Sequence, residues 1–386
     1  MPKWIKRAGV AATISAGLVS WAGVAEATTA STAAPPTISL GAAKTAATLP
    51  AGCTANDAKV VNSPDGSYHG YVQATCAKVA RLFYISRDPT GVWALRTTTI
   101  DMPYVLAVGV DNTGTYFVGR RSNDDLVLVR RNGNGSLSGV HVLEKNDPIG
   151  YLHFERASVV ASNGQYWVVW DENGYSIGFQ DHLSYQSRTQ APAVGKQEIN
   201  GTLAAPTLIV RPGKPTQLVG CYFDDTSGIG LSDSTAVSTT TSGTWGPFTE
   251  TDQNDCFGGM DVNLLKAAYL NDHTYFSEPG GRIVDDVSGT FTATTLSVNP
   301  TPEAFLGLTR TRVAYVAADD NAAELVWLQN GAGAFPGNAT GQLSKAPVPV
   351  HTDQIINRSG KLIRIFIQDD GKGHGGRRLL EQVQSS

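Results

Sequence analysis

The stretch Ser162–Gly174, SNGQYWVVWDENG, contains the pattern that decides the fold. An Asn-Gly pair is followed by an aromatic and β-branched run, which ends in Asp171, Glu172 and Asn173. Asn-Gly between apolar runs is a strong signal for a turn between two strands. The polar residues at the end could be catalytic carboxylates, calcium ligands or a turn, and the choice depends on whether the stretch recurs.

The pattern does recur along the chain. Each copy reads as a strand, a Gly/Asn turn, an aromatic strand, an acidic turn, a third strand, a loop and a fourth strand. First strands are placed near residues 57, 104, 156, 204, 261, 304 and 353. A spacing of roughly 49 residues with four strands per copy is typical of a β-propeller. We therefore predict an all-β, seven-bladed β-propeller, with six blades as the alternative.

The last copy lacks a fourth strand. A spare apolar and Thr-rich segment, Pro36-Thr37-Ile38-Ser39-Leu40, precedes the first copy. We expect residues around 36–49 to complete the last blade, because a closing strand from the other terminus removes an unpaired sheet edge. The alternative is a disordered N-terminal tail and a three-stranded last blade.

The N-terminal 27 residues resemble a secretory signal peptide. A basic start, an apolar run to about Val24 and the small-x-small site Ala25-Glu26-Ala27 predict export, with cleavage near Ala27. We assign 1–27 to the signal, 28–50 to a low-complexity segment and 51–386 to a single propeller domain. No other stretch reaches the length of a membrane span.

The net charge of the chain limits the kinds of molecule that it is expected to bind. The chain has 30 basic and 34 acidic residues, and removing the signal leaves 27 and 33, a formal charge of about −6. An acidic surface argues against a nucleic-acid or anionic-membrane partner. We expect a monomer whose partner is an extracellular glycan or a secreted or cell-surface protein.

Four cysteines in an exported chain predict two disulfides. Spacing alone allows three connectivities. In the propeller register all four lie near one face, where the strand 4-to-1 and 2-to-3 connections meet. This register predicts the pairs Cys53–Cys76 and Cys221–Cys256.

Two connections between third and fourth strands resemble the Asp-box turn of sialidase-like (BNR-repeat) propellers, Ser-x-Asp-x-Gly-x-x-Trp. The first is Ser86–Trp93, SRDPTGVW, with its Gly one place late, and the second, looser string is Ser232–Trp245. The resemblance implies a structural role, in which the carboxylate binds backbone N–H groups and the Trp plugs between sheets.

The same family implies a sialidase active site with three arginines, a Tyr–Glu pair, an Asp acid and an early Arg-Ile-Pro motif. No Arg-Ile-Pro occurs here; the nearest string is Arg282-Ile283-Val284. The resemblance therefore implies the fold, and we do not transfer the catalytic set.

Candidate site residues are those that the register places where first strands begin, around the central funnel. Separated carboxylates with a His, Tyr or Arg suit glycoside hydrolysis or β-elimination on a uronic acid. The catalytic candidates are Glu155, Arg156, His153, Asp261 and Glu303. The substrate-binding candidates are Tyr104, Phe257, Asp57 and Asp353. The competing interpretation is that Glu155 and Arg156 pair with each other or with neighbouring blades.

Acidic residues also recur at the ends of second strands. The set comprises Asp124-Asp125, Asp171-Glu172, Asp224-Asp225, Glu278, Asp319-Asp320 and Asp369-Asp370. Recurrence favours a turn device over catalysis, since Asp binds its own backbone in turns. Calcium in one or two turns is the alternative, and no other cofactor or metal is expected.

The functional hypothesis is therefore a secreted propeller that acts on extracellular carbohydrate as a glycoside hydrolase or polysaccharide lyase. The alternative is a non-catalytic, lectin-like propeller that binds a glycan or a protein. Fold alone does not choose between them.

Overall fold

The computed structural model describes residues 34–146, 152–153, 156–162, 164–174, 180–188, 193–199, 202–224, 232–241, 244–251, 265–278, 280–331, 333–372 and 374–385. In 152–153, 165, 171–205 and 221–244 the description covers the backbone only. Pro35–Ser386 form one compact unit.

All regular elements in these ranges are strands, and they are numbered in chain order. The first fifteen are β1 (Thr37–Ile38), β2 (Lys44–Thr48), β3 (Cys53–Asn62), β4 (Tyr68–Cys76), β5 (Val79–Arg87), β6 (Trp93–Thr97), β7 (Tyr104–Asp111), β8 (Gly114–Arg120), β9 (Leu126–Asn132), β10 (His141–Glu144), β11 (Leu152–His153), β12 (Ala157–Ser162), β13 (Gln165–Gly174), β14 (Gln180–Arg188) and β15 (Ala193–Ile199).

The remaining strands are β16 (Thr202–Ile209), β17 (Gln217–Asp224), β18 (Ser232–Thr241), β19 (Thr244–Trp245), β20 (Thr249–Glu250), β21 (Ala267–Leu270), β22 (His273–Glu278), β23 (Arg282–Val287), β24 (Thr290–Thr295), β25 (Thr301–Thr309), β26 (Arg312–Ala318), β27 (Glu324–Asn330), β28 (Gly341–Leu343), β29 (Val350–Arg358), β30 (Lys361–Asp369) and β31 (Gly375–Val383).

These strands form separate sheets, each built from strands that are consecutive in the chain, except that β1 and β2 join the last two sheets. In chain order they are sheet 1 (β3–β6), sheet 2 (β7–β10), sheet 3 (β11–β15), sheet 4 (β16–β20), sheet 5 (β21–β24), sheet 6 (β25–β28 with β1) and sheet 7 (β29–β31 with β2). In sheets 1, 2 and 5, consecutive strands pair antiparallel, as in β3 with β4 and β4 with β5. The predicted all-β propeller class is confirmed.

The predicted blade count needs correction. The sequence predicts seven regular four-stranded blades, or six, whereas five blades are described completely: sheets 1, 2, 5, 6 and 7. Sheets 3 and 4 depart from the regular repeat. In sheet 3 both β11 and β12 pair with β13, and in sheet 4 both β19 and β20 pair with β18. A sequence pattern that assumes four uniform strands per blade cannot predict an edge strand that is divided into two short strands.

The N-terminal segment 36–49 divides between two sheets. β2 pairs antiparallel with β31 and supplies the fourth strand of sheet 7. β1, predicted to join the same blade, instead runs parallel to β28 at the edge of sheet 6. Its backbone continues this contact on both sides, since the Gln342 N–H donates to the Pro36 carbonyl at 3.0 Å and the Ser344 N–H to the Ile38 carbonyl at 3.0 Å.

The middle residues of the second strands in the completely described blades are mainly apolar, because these strands pack between two neighbouring sheets. β26 shows the division clearly. Val313, Tyr315 and Ala317 enter the core shared with sheet 5, whereas Ala314 and Val316 enter the core shared with sheet 7. Successive strand residues point to opposite faces, so one strand serves two cores. This explains why second strands show no polar alternation.

Sheets 1 and 7 form a tightly bonded joint. The Gln354 side chain binds the backbone of Val60 twice, accepting from its N–H at 2.9 Å and donating to its carbonyl at 2.7 Å. The Arg87 guanidinium lies 3.2 Å from the Glu381 carboxylate, and both side chains are 8% exposed. The indole N–H of Trp93 donates to the same carboxylate at 3.1 Å. The chain's first and last blades therefore meet through polar contacts as well as apolar packing.

The disulfide Cys53–Cys76 is present and joins directly opposite residues of β3 and β4. Cys221 lies in β17, with only its backbone described, and Cys256 lies outside the described residues. The second predicted pair therefore stays a prediction. Among the described residues, no helix is long and apolar enough to cross a membrane.

Candidate functional site

The first strands line one central cavity of about 690 Å³. Its wall includes residues of β3, β7, β12, β16, β25 and β29 and the segment leading into β21. Four of the residues predicted for the site lie on this wall: Asp57, Arg156, Glu303 and Asp353. The register therefore brings together candidates that are almost 300 residues apart in the chain.

Glu303 and Asp353 form a carboxyl pair at the junction of sheets 6 and 7. Burial, reinforced by the negative charge of Asp353, raises the pKa of Glu303 to about 7. The Glu303 Oε2 atom is buried and has no hydrogen-bond partner. Burial also raises the pKa of Asp353. Two neighbouring acids cannot both ionise easily, so the pair retains a proton near neutral pH.

Arg364 contacts one member of this carboxyl pair directly. This guanidinium is 2% exposed, and its Nε lies 3.3 Å from Asp353 Oδ2. It also forms an ion pair with Glu324 and donates to the Ser344 carbonyl at 3.1 Å. The direct ion pair favours the carboxylate form of Asp353. Glu303 has no direct ion pair with Arg364 among the described residues, although the Arg364 charge partly offsets the rise in the pKa of Glu303.

Asp57 is held in a different way. The Tyr71 hydroxyl, from the neighbouring strand β4, donates to Asp57 Oδ2 at 2.8 Å. Burial raises the pKa of this Tyr, and the adjacent carboxylate raises it further, so the phenol keeps its proton. Asp57 is therefore an oriented carboxylate at the cavity wall.

Two lysines outside the predicted set of site residues also line the cavity. Lys59 comes from β3 and Lys266 from the residue just before β21. Burial lowers the pKa of both ammonium groups. By surface area the Lys59 side chain is exposed and Lys266 is half-buried, so both are accessible from the cavity. The protein atoms around each ammonium group account for the lowered pKa.

The sequence does contain a signal for these residues. Lys59 lies within Ala58-Lys59-Val60, Lys266 within Leu265-Lys266-Ala267 and Arg364 within Ile363-Arg364-Ile365. A single charge inside an apolar strand must find a partner or a water-filled space. All three are at or directly behind the cavity wall.

Of the other candidates, Tyr104 is not among the described residues that line this cavity. Tyr104 is 54% exposed and carries the Arg120 guanidinium 4.6 Å from its ring centre, so it lies on the surface at the start of β7. The backbone of His153 pairs with Asn173 in sheet 3. Glu155, Asp261 and Phe257 lie outside the described residues.

The acidic strand ends behave in two ways. Asp319 accepts backbone N–H groups from Asn321 at 2.9 Å and Ala323 at 2.8 Å, which is the turn geometry expected. Asp171 and Glu172, in contrast, continue β13 and pair with Leu183 and His182.

In the described part of the chain, no three His, Cys, Asp or Glu side chains are grouped to hold a metal ion. Calcium stays a prediction.

The Ser86–Trp93 turn has the geometry that the Asp-box resemblance implies. Asp88 Oδ1 accepts from Thr90 Oγ1 at 2.7 Å and from the N–H groups of Gly91 at 2.8 Å and Val92 at 2.9 Å. Trp93 packs into the core between sheets 1 and 7. The second string, Ser232–Trp245, is not such a turn, because its first ten residues form the strand β18.

Comparisons with known proteins support the architecture. No protein-family model and no curated protein matches the sequence. The polysaccharide lyase Uly1 superposes with a TM-score of 0.52 at 10% identity, covering 86% of this chain and 89% of the lyase. This chain is a β-propeller.

Two further solved structures are similar to this chain. BBS1N, solved in complex with ARL6DN, superposes with a TM-score of 0.51 at 10% identity and covers 91% of this chain and 98% of its own. An α-L-arabinanase of Penicillium chrysogenum matches with a TM-score of 0.47 at 11% identity, over 75% of this chain and 98% of its own. Identities this low show the fold alone, and function must be argued from the cavity.

Proposed function

We propose that this propeller acts on extracellular carbohydrate in its central cavity, with Glu303 as the proton donor. The observation that carries the proposal is the carboxyl pair with unequal environments. Glu303 has a pKa of about 7 and a buried oxygen without a hydrogen-bond partner, whereas Asp353 is ion-paired with Arg364. Two acids whose environments differ in this way suit division into a general acid and a carboxylate.

The chemistry follows from the positions of the protons. Glu303 donates its proton to the glycosidic oxygen as the bond to the leaving sugar breaks. Asp353 stays ionised and either activates a water or stabilises positive charge on the sugar ring. The donation step serves hydrolysis, in which water adds to the sugar, and also elimination, in which the ionised Asp353 removes the C5 proton of a uronic acid, so the proposal covers both a glycoside hydrolase and a polysaccharide lyase. Arg364 is a positioning residue, because it holds Asp353 in its charged form.

Export is part of the proposal. The Cys53–Cys76 bridge supports it, since disulfides persist chiefly in oxidising compartments. The proposed signal at 1–27 would direct the chain there, where the substrate would be a glycan or a glycan-bearing cell surface.

A non-catalytic, glycan-binding propeller is the second candidate. It is favoured by the contacts of Arg364, which reach Glu324 and the Ser344 carbonyl in sheet 6 from β30 in sheet 7. Those contacts join the two sheets, so the acid cluster also has a structural use. In this case Glu303 would bind sugar hydroxyls without transferring a proton.

The test is a glycan-array binding assay combined with a screen for hydrolysis and elimination on plant, algal and bacterial polysaccharides. Wild type is compared with Glu303→Gln, Asp353→Asn and the exposed control Asp320→Asn. We expect Glu303→Gln to lower turnover on the active substrate by about 100-fold or more, with glycan binding retained. Equal turnover in this variant would refute the catalytic role. Binding without turnover in wild type would establish the second candidate.

A further inference from the structure

Two positive charges in the cavity have no counterion at contact distance in the part of the chain that the structure describes. Lys59 projects from β3 of sheet 1, and Lys266 lies on the wall contributed by sheet 5. The backbone of Lys266 is fixed against β22, because its N–H donates to Ser277 Oγ at 3.0 Å and its carbonyl accepts from the Ser277 N–H at 2.9 Å. Its position on the cavity wall is therefore set by the sheet.

Neither ammonium group takes part in a hydrogen bond or ion pair among the described residues. Lys214 provides the contrast, since its Nζ lies 2.6 Å from Asp272 Oδ1 at the surface. Asp57 attracts Lys59 from a longer distance, but its carboxylate already accepts the Tyr71 hydroxyl. A positive group without a partner is costly in a poorly solvated site.

The positive charges of the two lysines also repel each other. Burial is the main reason that the pKa of Lys266 is lowered, and the positive charge of Lys59 lowers it further. The cavity thus holds two like charges within electrostatic reach. An anion placed between them would offset both the repulsion and the lost hydration.

We propose that Lys59 and Lys266 form an anion-binding site in the central cavity, for a ligand that carries a carboxylate or sulfate group. The volume of about 690 Å³ is in the range of small-molecule sites and accommodates more than a bare ion. If the proposed action on carbohydrate is also correct, this site makes the substrate an acidic glycan. The lysines would then bind its charged group while Glu303 faces a glycosidic oxygen.

The direct test uses inorganic sulfate as the probe, titrated by calorimetry into the folded protein at low ionic strength and pH 6. We compare wild type with Lys59→Met, Lys266→Met and the exposed-lysine control Lys361→Met. The expected result is binding in wild type and the control and at least about tenfold weaker binding in each cavity variant. Absence of sulfate binding in wild type, or unchanged binding in both cavity variants, would overturn the proposal. Thermal unfolding of each variant establishes that it is folded, and removal of a charge that has no ion-pair partner among the described residues should not lower its stability.

The pH dependence adds a second readout. The groups facing the cavity are the two lysines, Arg156, Asp57, Asp353 and Glu303. Sulfate binding should weaken above pH 7, where Glu303 ionises, and again where the lysines lose their protons. Glu303→Gln should remove only the first of these losses. Binding that does not change between pH 6 and pH 10 would contradict a site made of these lysines.

The source of the anionic group is decided by a second titration. An oligogalacturonide and a neutral galacto-oligosaccharide of equal length are compared in the same calorimeter. A preference of at least tenfold for the acidic chain, lost when both lysines are changed to Met, identifies an acidic glycan. Sulfate binding without that preference identifies a small free anion, which keeps the anion site and removes support for glycan chemistry.

Discussion

Charged residues inside apolar strands have two distinct fates in this propeller. Arg87 and Arg364 are neutralised by carboxylates from neighbouring strands, at the joints between sheets. Lys59, Lys266 and Glu303 instead face the cavity without such a contact. The first group stabilises the arrangement of the sheets. The second group lies in a poorly solvated space, where proton affinity and anion affinity are altered, and this is the residue-scale basis of both proposals.

The raised pKa of Glu303 predicts how stability depends on pH. The pKa is about 7 in the folded protein against an ordinary value of 4.5, so the folded state binds the proton more tightly. The resulting stabilisation is fully present below pH 4.5 and is lost as the pH rises through 7. Glu303→Gln should therefore raise the free energy of unfolding at pH 8, by on the order of 1 to 3 kcal/mol, and change it little at pH 4. Urea unfolding at both pH values measures this, and an equal effect at the two would contradict it.

At the scale of the element, turns decide how strands enter and leave each blade. The carboxylate of Asp88 satisfies three donors in the connection from β5 to β6, two of them backbone N–H groups. These bonds lower the pKa of Asp88, the largest effect coming from the Thr90 hydroxyl. This turn also positions Trp93 between sheets 1 and 7.

Replacing the Asp88 carboxylate should lower the stability of the whole protein, because the effect extends beyond the turn. We expect Asp88→Ala to lower the melting temperature, because the backbone donors lose their acceptor and Trp93 is held less firmly. Asp320→Ala is the matched control, an exposed Asp in another turn with no bonded partner among the described residues. Differential scanning calorimetry compares the two. Equal melting temperatures for both variants and wild type would show that the turn contributes nothing to stability.

At the scale of the whole molecule, the two ends of the chain meet in sheet 7. β2 covers the edge of β31, and Ala46 and Leu49 enter the core shared by sheets 1 and 7. The main chain of Leu49 and Arg377 is also joined, since the Leu49 N–H donates to the Arg377 carbonyl at 2.8 Å. Without β2, the edge of the last blade would be unpaired.

Truncation tests this closure in steps. A chain beginning at residue 35 should match the longer protein in melting temperature, because it keeps both N-terminal strands. Beginning at residue 42 removes only the short β1 and should cost little. Beginning at residue 50 removes β2, and should lower the melting temperature by several degrees and promote association through the free edge of β31. Thermal unfolding and size-exclusion chromatography measure both effects. A stable, non-associating chain that begins at residue 50 would contradict the closure.

Much of this architecture can be predicted from the sequence, and particular residues show which features cannot. Repeated Gly/Asn turns and apolar runs locate first strands close to their observed starts, as with Tyr104 and Ala157. The parallel contact of β1 with β28 was missed, because pairing across about 300 residues leaves no local signal. In the site, the register collects Asp57, Arg156, Glu303 and Asp353. It overlooks Lys59 and Lys266, whose significance comes from lining the same cavity, which several sheets build together.

The most direct test of the central claim is the protonation state of Glu303. Nuclear magnetic resonance of protein carrying ¹³C-labelled Glu carboxyls follows each group with pH, and Glu303→Gln assigns the signal. We predict a titration midpoint of about 7 for Glu303. Because the Asp353 charge raises this pKa, Asp353→Asn should move the midpoint towards 4.5. A Glu303 signal that titrates near 4.5 in the unmodified protein would contradict the claim that this propeller holds a proton donor in its cavity.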